Sequence, residues 1–568
     1  MSLSAQKLNL SNTVGGFADV VLMLSLLIVG GFNESVSCIL SVAMLVYLFI
    51  KMQKERHLTV RINLLSVSVA VLVLFYGLTI LWAVDAGMAF VGLLKFLPVL
   101  LYSCVLHQQK QTGRVLHVLP YYVAALTAVS AIGSLIPGVN ALFLVAERFA
   151  GVFQYPNTFA MLILVAELLL LQKAQWKIAD YITAAILIGG LLYTASRAVF
   201  VLFLLSNFVM ILTRFSGKQR LIILGIVVTA VAVVIGVALL GPADNAFSRL
   251  IEIGLTQSTF VGRFLYMQDA LSLLLKHPFG MGYFGYFFRQ GAVQTGVYSV
   301  SFVHNDLLQM ALDVGVVPAL LFLAAIARYL FKKSVPFTDK VIVAVFTLHN
   351  LFDFNLQFVG MFMLYLLLMQ TDEGKDVTIT RTGALKAAMP LLATVSLYMS
   401  IPFALSQFSA YEAAHTLYPY YTRNTLLLLE QQEDVNAANE IATEILAYNT
   451  AYYAPYNIQA RYAYSQGDFL TVIRLKKEAF SRNRFGYAEY EDYAVMLVNG
   501  IVAYEQMGDS DSAYVLKREL RSLNSRLADR ENQVSRLGRL IKDKPVTQLP
   551  DEVLQYLDYP YGMGGDSH

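Results

Sequence analysis

Residues 62–84 read INLLSVSVAVLVLFYGLTILWAV, a run without a charged side chain. A helix of about 20 apolar residues is long enough to cross the hydrocarbon core of a bilayer. Across the chain, 57% of the 568 residues are hydrophobic and only 14% are charged, outside the range of soluble globular proteins. We therefore predict an all-α, polytopic membrane helix bundle. Thirteen such spans can be marked: 14–31, 35–50, 62–84, 87–106, 115–135, 157–172, 178–195, 197–213, 220–241, 306–331, 339–352, 355–370 and 384–404.

The distribution of lysine and arginine predicts the orientation of these spans. With the N-terminus in the cytoplasm, the short outer connections carry only Arg148 and Arg197, whereas the inner connections carry many basic residues. This asymmetry follows the positive-inside rule. The inner residues are Lys51, Lys54, Arg56, Arg61, Lys110, Arg114, Lys173, Lys177, Arg214, Lys218, Arg220, Arg328, Lys332, Lys333, Lys375, Arg381 and Lys386.

One connection differs from the others in length. Residues 242–304 form a long polar loop, which the orientation places outside the cytoplasm. A loop of this length in a compact membrane protein is more often functional than not. We therefore expect it to contribute half of an active site.

The remaining composition excludes several kinds of site. Cys38 and Cys104 both lie in predicted spans, so they form no disulfide framework or metal site. The first span lacks a charged leader and a cleavage site, so we expect a retained anchor. The net charge of +3 is accounted for by the inner connections and indicates no nucleic-acid partner.

The chain is predicted to have two domains, a transmembrane domain over 1–405 and an extracytoplasmic α-helical domain over 406–568. Turn-like stretches end at Asp434, Asp468 and Asp509, and the first interval is the 34-residue period of tetratricopeptide repeats. The alternative is a helical bundle that only stabilises the outer face. Asp509 is interpreted as a helix cap rather than a metal ligand.

Polar residues on the predicted outer face are candidates for chemistry. Arg148 and Asn157 precede the sixth span, and Asn157 could serve as its N-cap. Arg197 lies in a sharp turn between the seventh and eighth spans. An arginine at that depth is costly unless it is paired or faces water, so a functional role and snorkelling to the surface are both open.

Further candidates lie in the long loop. Arg263 opens a segment with helical periodicity that ends near Lys276. Gly280 and Gly282 then permit a tight turn close to a ligand. His304 precedes Asn305, which can cap the tenth span, and an imidazole there could accept a proton from a hydroxyl. The alternative for His304 is an interfacial histidine bonded to a carbonyl.

Lys95 lies in the middle of the fourth span. An ionisable residue at such a position is a functional candidate. Lys95 could bind a pyrophosphate group, or its side chain could snorkel to the membrane surface.

Several of these segments resemble the O-antigen ligase and polymerase family (Wzy_C), in order and spacing, over roughly residues 10–405. Three features depart from the family pattern. Asp313 stands where the family usually has glutamate, Asp306 follows the His-Asn pair, and many members lack the C-terminal repeats. The segments are Arg148-Phe149-Ala150-Gly151 with Pro156-Asn157, Ser196-Arg197, Gly262-Arg263 with Pro278-Phe279-Gly280-Met281-Gly282, and His304-Asn305 with Leu308-Gln309 and Asp313-Val314-Gly315.

The resemblance implies a C-type glycosyltransferase fold and a metal-independent, inverting transfer with no cofactor. The donor would be a glycan on polyprenyl pyrophosphate, and the acceptor a glycan, lipid or protein hydroxyl. Arg197 and Arg263 match arginines thought to bind the pyrophosphate, and His304 matches an essential histidine. Guanidinium groups suit this role because they bind phosphate in a bidentate manner and stay charged.

Other functions remain open at this stage. Within the family, a polymerase of lipid-linked repeat units differs from a ligase only in its acceptor. A transporter of lipid-linked glycans would instead carry charged residues along an internal pathway, and a non-catalytic membrane anchor would tolerate substitution of the loop residues. We predict an enzyme of the bacterial cytoplasmic membrane, in contact with membrane lipids, in which 406–568 is the region available to a protein partner.

Overall fold

The computed structural model describes residues 16–109, 113–240, 258–371, 373–380, 382–554 and 556. Within them, helices occupy every one of the thirteen predicted ranges. In the described part of the chain, six helices are long and apolar enough to cross a membrane, and five more apolar helices have 10–17 residues. The prediction of an all-α polytopic membrane protein is confirmed. The beginning of the predicted 242–304 loop, up to residue 257, lies outside the described residues.

The helices of the membrane region follow the apolar runs, and the long loop contributes two more, one of 19 residues and one of nine. They are α1 (Phe17–Leu27), α2 (Glu34–Glu55), α3 (Leu64–Leu78), α4 (Ala86–His107), α5 (Val115–Ser134), α6 (Pro156–Leu171), α7 (Ile178–Tyr193), α8 (Arg197–Arg214), α9 (Gly217–Leu240), α10 (Ser258–Lys276), α11 (Gly285–Val293), α12 (Asp306–Val314), α13 (Val316–Phe331), α14 (Phe337–Asn350), α15 (Val359–Leu368) and α16 (Gly383–Gln407).

The tenth predicted span, 306–331, is not one helix. It is divided into α12 and α13 at Gly315, whose φ of +95° lies in the region that favours glycine. A Cβ at Gly315 would lie 2.8 Å from the carbonyl carbon of Phe279, so the backbone of the long loop approaches too closely for any side chain. The helix is interrupted where the loop docks onto it.

A two-stranded antiparallel sheet joins two of the basic connections. Strand β1 (Leu58–Ile62) follows α2 and pairs with strand β4 (Lys375–Ile379), which follows α15. The Arg61 guanidinium donates to both carboxylate oxygens of Asp376 at 2.7 and 3.1 Å. The two connections, more than 300 residues apart in sequence, therefore lie at one end of the bundle.

Other connections of the same predicted side meet at this basic end. The Gln172 side chain, after α6, donates to Asp339 at the start of α14, and Arg214 at the end of α8 donates to the Gln172 carbonyl. Arg328 forms an ion pair with Glu373 at 3.0 Å. Grouping these connections at one end agrees with the orientation derived from the positive-inside rule.

Beyond Gln407 the chain forms further helices packed largely in antiparallel pairs. The predicted turns at Asp434, Asp468 and Asp509 are confirmed, because each carboxylate accepts a hydrogen bond from the backbone N–H three residues later. The tetratricopeptide assignment stays a prediction. The helices are α17 (Tyr411–Leu417), α18 (Thr422–Gln431), α19 (Val435–Tyr448), α20 (Ala454–Ser465), α21 (Phe469–Arg482), α22 (Tyr487–Gln506), α23 (Ser510–Ala528), α24 (Arg530–Gln533) and α25 (Asp551–Leu554).

The first C-terminal helices share a hydrophobic core with the membrane bundle. Leu426, Ala442 and Ile445 belong to the same buried cluster as the membrane helices. The later helices, 460–553, form a separate core. The boundary predicted at 405/406 falls next to the end of α16, but packing continues across it.

A charge cluster around the buried Glu34 fastens α18 to the membrane bundle. Glu34 Oε1 at the start of α2 lies 3.9 Å from Lys95 Nζ and 3.7 Å from Arg423 Nη1. The Tyr283 hydroxyl donates to Glu34 Oε1 at 3.0 Å. Nearby, Asp85 Oδ2 accepts from the Asn449 amide at 2.8 Å. The C-terminal region is therefore held at the end of the bundle opposite the basic end.

We expect Glu34→Gln to weaken this attachment. The substitution leaves Lys95 and Arg423 without their carboxylate and costs about 1–3 kcal/mol, the usual range for an unsatisfied buried polar group. Thermal unfolding of the purified protein in detergent measures the effect. Glu55→Gln, which removes an exposed pair with Lys51 at 3.0 Å, is the matched control and should change stability by less than about 1 kcal/mol. Equal unfolding temperatures for both variants would contradict the assignment.

Candidate active site

Asp353, in the short connection between α14 and α15, is the centre of a polar network. Its carboxylate is fully buried and is approached by four side chains. Arg263 Nη2 donates to Oδ2 at 3.2 Å, and the Asn157 amide donates to Oδ2 at 2.8 Å. The Tyr155 hydroxyl donates to Oδ1 at 2.8 Å, and His304 Nδ1 lies 3.5 Å from Oδ1. One carboxylate therefore gathers residues from the start of the sixth span and from two distant parts of the long loop.

The connection that carries this carboxylate is held by polar contacts on both sides. The Thr158 hydroxyl of α6 donates to Asn355 Oδ1 at 3.0 Å, and the Asn355 amide donates to Asn350 Oδ1 at 2.7 Å. From α12, Asp306 Oδ2 accepts from the Leu356 N–H at 3.0 Å. These hydrogen bonds explain why polar residues interrupt the apolar pattern between α14 and α15.

Arg148 is presented by a small hairpin before α6. Strands β2 (Leu144–Val145) and β3 (Arg148–Phe149) are joined by Ala146 and Glu147, whose φ values of 47° and 61° give the left-handed conformation of tight hairpin turns. Arg148 Nε donates to the Thr194 carbonyl at 3.2 Å, and Nη2 lies 3.4 Å from the Ala195 carbonyl. Arg148 therefore fixes the turn that precedes Arg197.

Asn157 connects that turn to the central carboxylate. Its Oδ1 accepts from Arg148 Nη2 at 2.9 Å and from the Ser196 hydroxyl at 3.1 Å, while its amide donates to Asp353. Arg197 is the first residue of α8, directly after Ser196, and is half-buried. The structure thus brings the segment containing Arg197 next to the network around Arg263 and His304.

The prediction that Asn157 caps the sixth span is wrong. Helix α6 begins at Pro156, and the capping position is occupied by Tyr155 without a side-chain cap. Proline suits the first helical position because it has no N–H to satisfy. The Asn157 side chain is thereby available for the network.

The two residues predicted to do chemistry leave part of their surface open. The side chains of Arg263 and His304 are 17% and 18% exposed, whereas Asp353 is fully covered. Arg263 lies in α10, which extends over 258–276 and confirms the predicted helix. The His304 ring packs against Phe354 with centroids 5.1 Å apart and lies 5.9 Å from the Tyr266 ring. Both side chains therefore contact the buried Asp353 on one side and keep a part of their surface accessible to a ligand.

The charge state of Asp353 follows from its neighbours. Burial alone would raise the pKa of this carboxyl, but the charge of Arg263 and the contact with His304 more than offset burial, so the pKa lies well below its ordinary value. The carboxylate is therefore ionised throughout the neutral range. A permanent negative charge suits the task of orienting a guanidinium and an imidazole.

The contact of His304 Nδ1 with Asp353 Oδ1 is weak, and it is the one contact that this nitrogen makes with the described residues. The separation of 3.5 Å from Asp353 is at the outer limit of hydrogen bonding, and Nδ1 has no shorter bond to any described residue. The alternative of a histidine bonded to a backbone carbonyl thus finds no support at Nδ1.

The structure gives Asn305 and the two loop glycines packing roles. Asn305 is the N-cap of α12, accepting from the Leu308 N–H at 3.0 Å, which confirms the predicted cap. A Cβ at Gly280 would lie 2.6 Å from the Asp313 carbonyl oxygen, and one at Gly282 would lie 2.6 Å from Ala83. Gly280 permits the close backbone contact between the loop and α12, and Gly282 permits the approach of the loop to Ala83 between α3 and α4. Their predicted part in substrate binding stays a prediction.

Lys95 belongs to the buried cluster that attaches α18. It is fully buried and donates to the Phe32 carbonyl at 2.9 Å, with its ammonium 4.5 Å from the Phe32 ring centroid. The alternative that Lys95 snorkels to the membrane surface is wrong, because no part of the side chain reaches the surface. Its role towards a pyrophosphate stays a prediction.

Sequence reasoning missed Asp353 and Tyr155 as site residues. The signal for Asp353 was present, since His349, Asn350 and Asp353 break an otherwise apolar hairpin at one helix end. Within the described part of the chain, no group of three or more His, Cys, Asp or Glu residues is placed to hold a metal ion. What the arrangement offers is fixed positive charge beside one imidazole.

These features define a polytopic membrane protein with a cationic polar site at the helix ends opposite its basic connections. Residues 182–323 match the family model described as O-Antigen ligase (Wzy_C). No curated protein matches the sequence. The matched segment includes Arg197, Arg263 and His304, whereas Arg148 and Asp353 lie outside it. Together with the apolar helices, the match indicates a multi-pass protein of the bacterial inner membrane with a glycosyltransferase-like function.

Proposed function

We propose that this protein transfers a glycan from polyprenyl pyrophosphate to an acceptor hydroxyl at the outer face of the cytoplasmic membrane. The observation that carries the proposal is the network in which buried Asp353 holds Arg263 and faces His304. That network lies at the helix ends opposite the basic connections. The family match at 182–323 supports the same chemistry.

The proposed reaction is a single displacement. The oxygen of the acceptor hydroxyl attacks the anomeric carbon of the donor while the bond from that carbon to the pyrophosphate oxygen breaks. The hydroxyl proton passes to His304, and the bonding electron pair leaves with the pyrophosphate. Inversion at the anomeric carbon follows from one displacement.

Arginine side chains supply the positive charge that stabilises the leaving pyrophosphate. Arg263 uses Nη2 towards Asp353, and a guanidinium has five N–H donors in all, so further donors remain for phosphate oxygens. Arg197 follows a turn fixed by Arg148 and Ser196, which favours a defined position for a second guanidinium. Negative charge that develops on the leaving pyrophosphate is stabilised by such preorganised donors.

The C-terminal region supports an acceptor or partner role on the same side. It is attached through Arg423 to Glu34 at the end of the bundle where the site lies. Residues near its far end also cover the helix that carries Arg263, because Ile541 packs with Val261 and Leu265. In a ligase or a protein glycosylation enzyme, such a region could bind the acceptor. The alternative with the same chemistry is polymerisation of lipid-linked repeat units.

The test uses the purified full-length protein with a polyprenyl-pyrophosphate glycan and candidate acceptors. We expect His304→Ala and Arg197→Ala each to lower transfer by at least about 100-fold, the contribution of one positioned acid–base or oxyanion group. Matched controls are His57→Ala and Arg328→Ala at the basic end, which should transfer at the wild-type rate. Product length separates the two acceptor classes, since a ladder indicates polymerisation and a single addition indicates ligation.

Full turnover in both site variants would refute the assignment. Transport of the donor across a vesicle membrane without any transfer would favour a transporter instead.

A further inference from the structure

A cavity of about 230 Å³ lies in the C-terminal region, lined in part by Arg484, Tyr490, Arg526, Arg530 and Gln533. We call it the arginine cavity. Typical pockets for drug-sized ligands have about 300–1,000 Å³. The arginine cavity therefore has room for one small polar unit rather than for an extended chain.

Arg530, at the base of the arginine cavity, is a buried cation without a carboxylate partner. It is only 1% exposed, and its guanidinium carbon lies 4.0 Å from the centre of the Tyr490 ring. Its two terminal nitrogens make long contacts, 3.5 Å to the Val546 carbonyl and 3.4 Å to the Gly486 carbonyl, and the Tyr490 side chain favours its charged form. Nε is buried with no hydrogen-bond partner among the described residues.

Such a group is costly to bury unless an anion accompanies it. Within the described residues, no carboxylate lies within 4.0 Å of the Arg530 guanidinium. Burial lowers the pKa of Arg530, the direction expected for an incompletely compensated cation. The charge of Glu489 offsets burial only in part, so a bound anion would complete the compensation of this cation.

The rim of the arginine cavity adds charge and mixed hydrogen-bonding groups. Arg484 is exposed, and Arg526 is half-buried beside Glu519 at 3.1 Å. Asp529 and Gln533 complete the rim and offer a carboxylate and an amide. A bare inorganic anion would be repelled by Asp529, whereas a ligand that combines an anionic group with hydroxyls can use both donors and acceptors.

The arginine cavity is joined to the candidate active site through a short stretch of chain. Just beyond Gln533, the Ser535 N–H donates to the Thr295 carbonyl of the long loop at 2.9 Å. Ile541 then packs against Val261 and Leu265 of α10, the helix that carries Arg263. A ligand held in the cavity therefore lies next to the segment that packs on the helix carrying Arg263.

We propose that the arginine cavity binds one anionic sugar unit, bearing a carboxylate or a phosphate, of the glycan that the enzyme transfers or extends. This inference rests on the proposed function for its ligand class. It adds a second glycan-binding site, outside the candidate active site, that selects for negative charge.

The test measures binding of small probes to the full-length protein in detergent by saturation-transfer NMR and calorimetry. The probes are glucuronic acid, glucose 6-phosphate, glucose and inorganic phosphate. We expect at least one of the two anionic sugars to bind, and glucose to bind at least tenfold more weakly. Whichever anionic sugar binds identifies the anionic group.

Two variants keep the inference testable if a buried substitution disturbs folding. Arg530→Gln and the exposed rim variant Arg484→Ala should each weaken binding by tenfold or more, whereas Arg474→Ala, exposed elsewhere on α21, should not. The absence of binding by both anionic sugars would overturn the proposal. Inorganic phosphate binding as tightly as either sugar would overturn it as well, because it would indicate a simple anion site.

The result of the probe-binding test can be distinguished from the result of the transfer assay that tests the proposed function. His304→Ala should bind the probes with wild-type affinity although it no longer transfers glycan. Loss of probe binding in Arg484→Ala with transfer unchanged on a neutral glycan would leave the proposed function intact.

Discussion

Arg263→Ala is expected to lower glycan transfer by about 10³–10⁵-fold, the effect of an arginine that stabilises a phosphate group in transfer. The same change removes the only cation that bonds directly to buried Asp353 among the described residues. Since Tyr155 and Asn157 still donate to that carboxylate, the cost should fall at the lower end of the range for a broken buried pair, about 3 kcal/mol. Transfer assays and thermal unfolding in detergent measure the two effects separately.

The pH dependence of stability should also change sign in this variant. In the wild type the pKa of Asp353 is depressed, so its contribution is present above the ordinary aspartate pKa and is lost as pH falls through the acidic range. Without Arg263, burial becomes the dominant influence and raises the pKa. Arg263→Ala should therefore lose stability as pH rises from about 4 to 7, where the wild type is constant with respect to this group.

A double variant distinguishes the structural from the chemical part of the loss. Arg263→Ala with Asp353→Asn removes both charges and should recover most of the stability, yet none of the transfer. Arg263→Lys keeps the charge but not the planar fork, so it should recover stability better than turnover. An Arg263→Ala protein that transfers at the wild-type rate would contradict the role assigned to this residue.

The apolar pattern was sufficient to predict the membrane helices, because crossing a bilayer imposes a length and a composition on each segment. It could not predict the break at Gly315. That break depends on the approach of Phe279 from the long loop, a contact between two segments whose sequences show no periodicity in common. A tertiary contact therefore determines the helix break in the span that the apolar pattern predicted as continuous.

Only part of the site was predicted, again because contacts between distant segments are not visible in the local sequence. Arg263 and His304 were marked by residue type and by resemblance, and each leaves part of its side chain exposed. In the sequence Asp353 is only an interruption of an apolar hairpin, since nothing in its local sequence reveals that Arg263, 90 residues earlier, reaches it. The docking of Arg423 onto Glu34 was equally hidden, because either residue alone reads as an ordinary helix-terminal charge.

Asp353→Asn should lower kcat by about 10²–10⁴-fold, the range for disabling positioned acid–base catalysis. Asparagine has nearly the same shape, but it replaces one acceptor oxygen by an N–H₂ group and removes the charge. Arg263 and His304 then lose the common partner that sets their relative position. Because partly exposed Arg263 can be hydrated instead, the free energy of unfolding should fall by less than in Arg263→Ala.

A positioning role differs from a merely structural one in its kinetic signature. Asp353→Asn should reduce kcat far more than it raises KM, because the binding of the remote parts of donor and acceptor does not involve Asp353. Asp339→Asn, on the same helical hairpin at the basic end, keeps an acceptor for Gln172 and is the matched control with unchanged kcat. A fall in thermal stability with kcat retained would show that the carboxylate only holds the fold. The contrast matters because the carboxylate is covered and itself makes no contact with substrate, so any loss of turnover must act through the guanidinium and the imidazole that it orients.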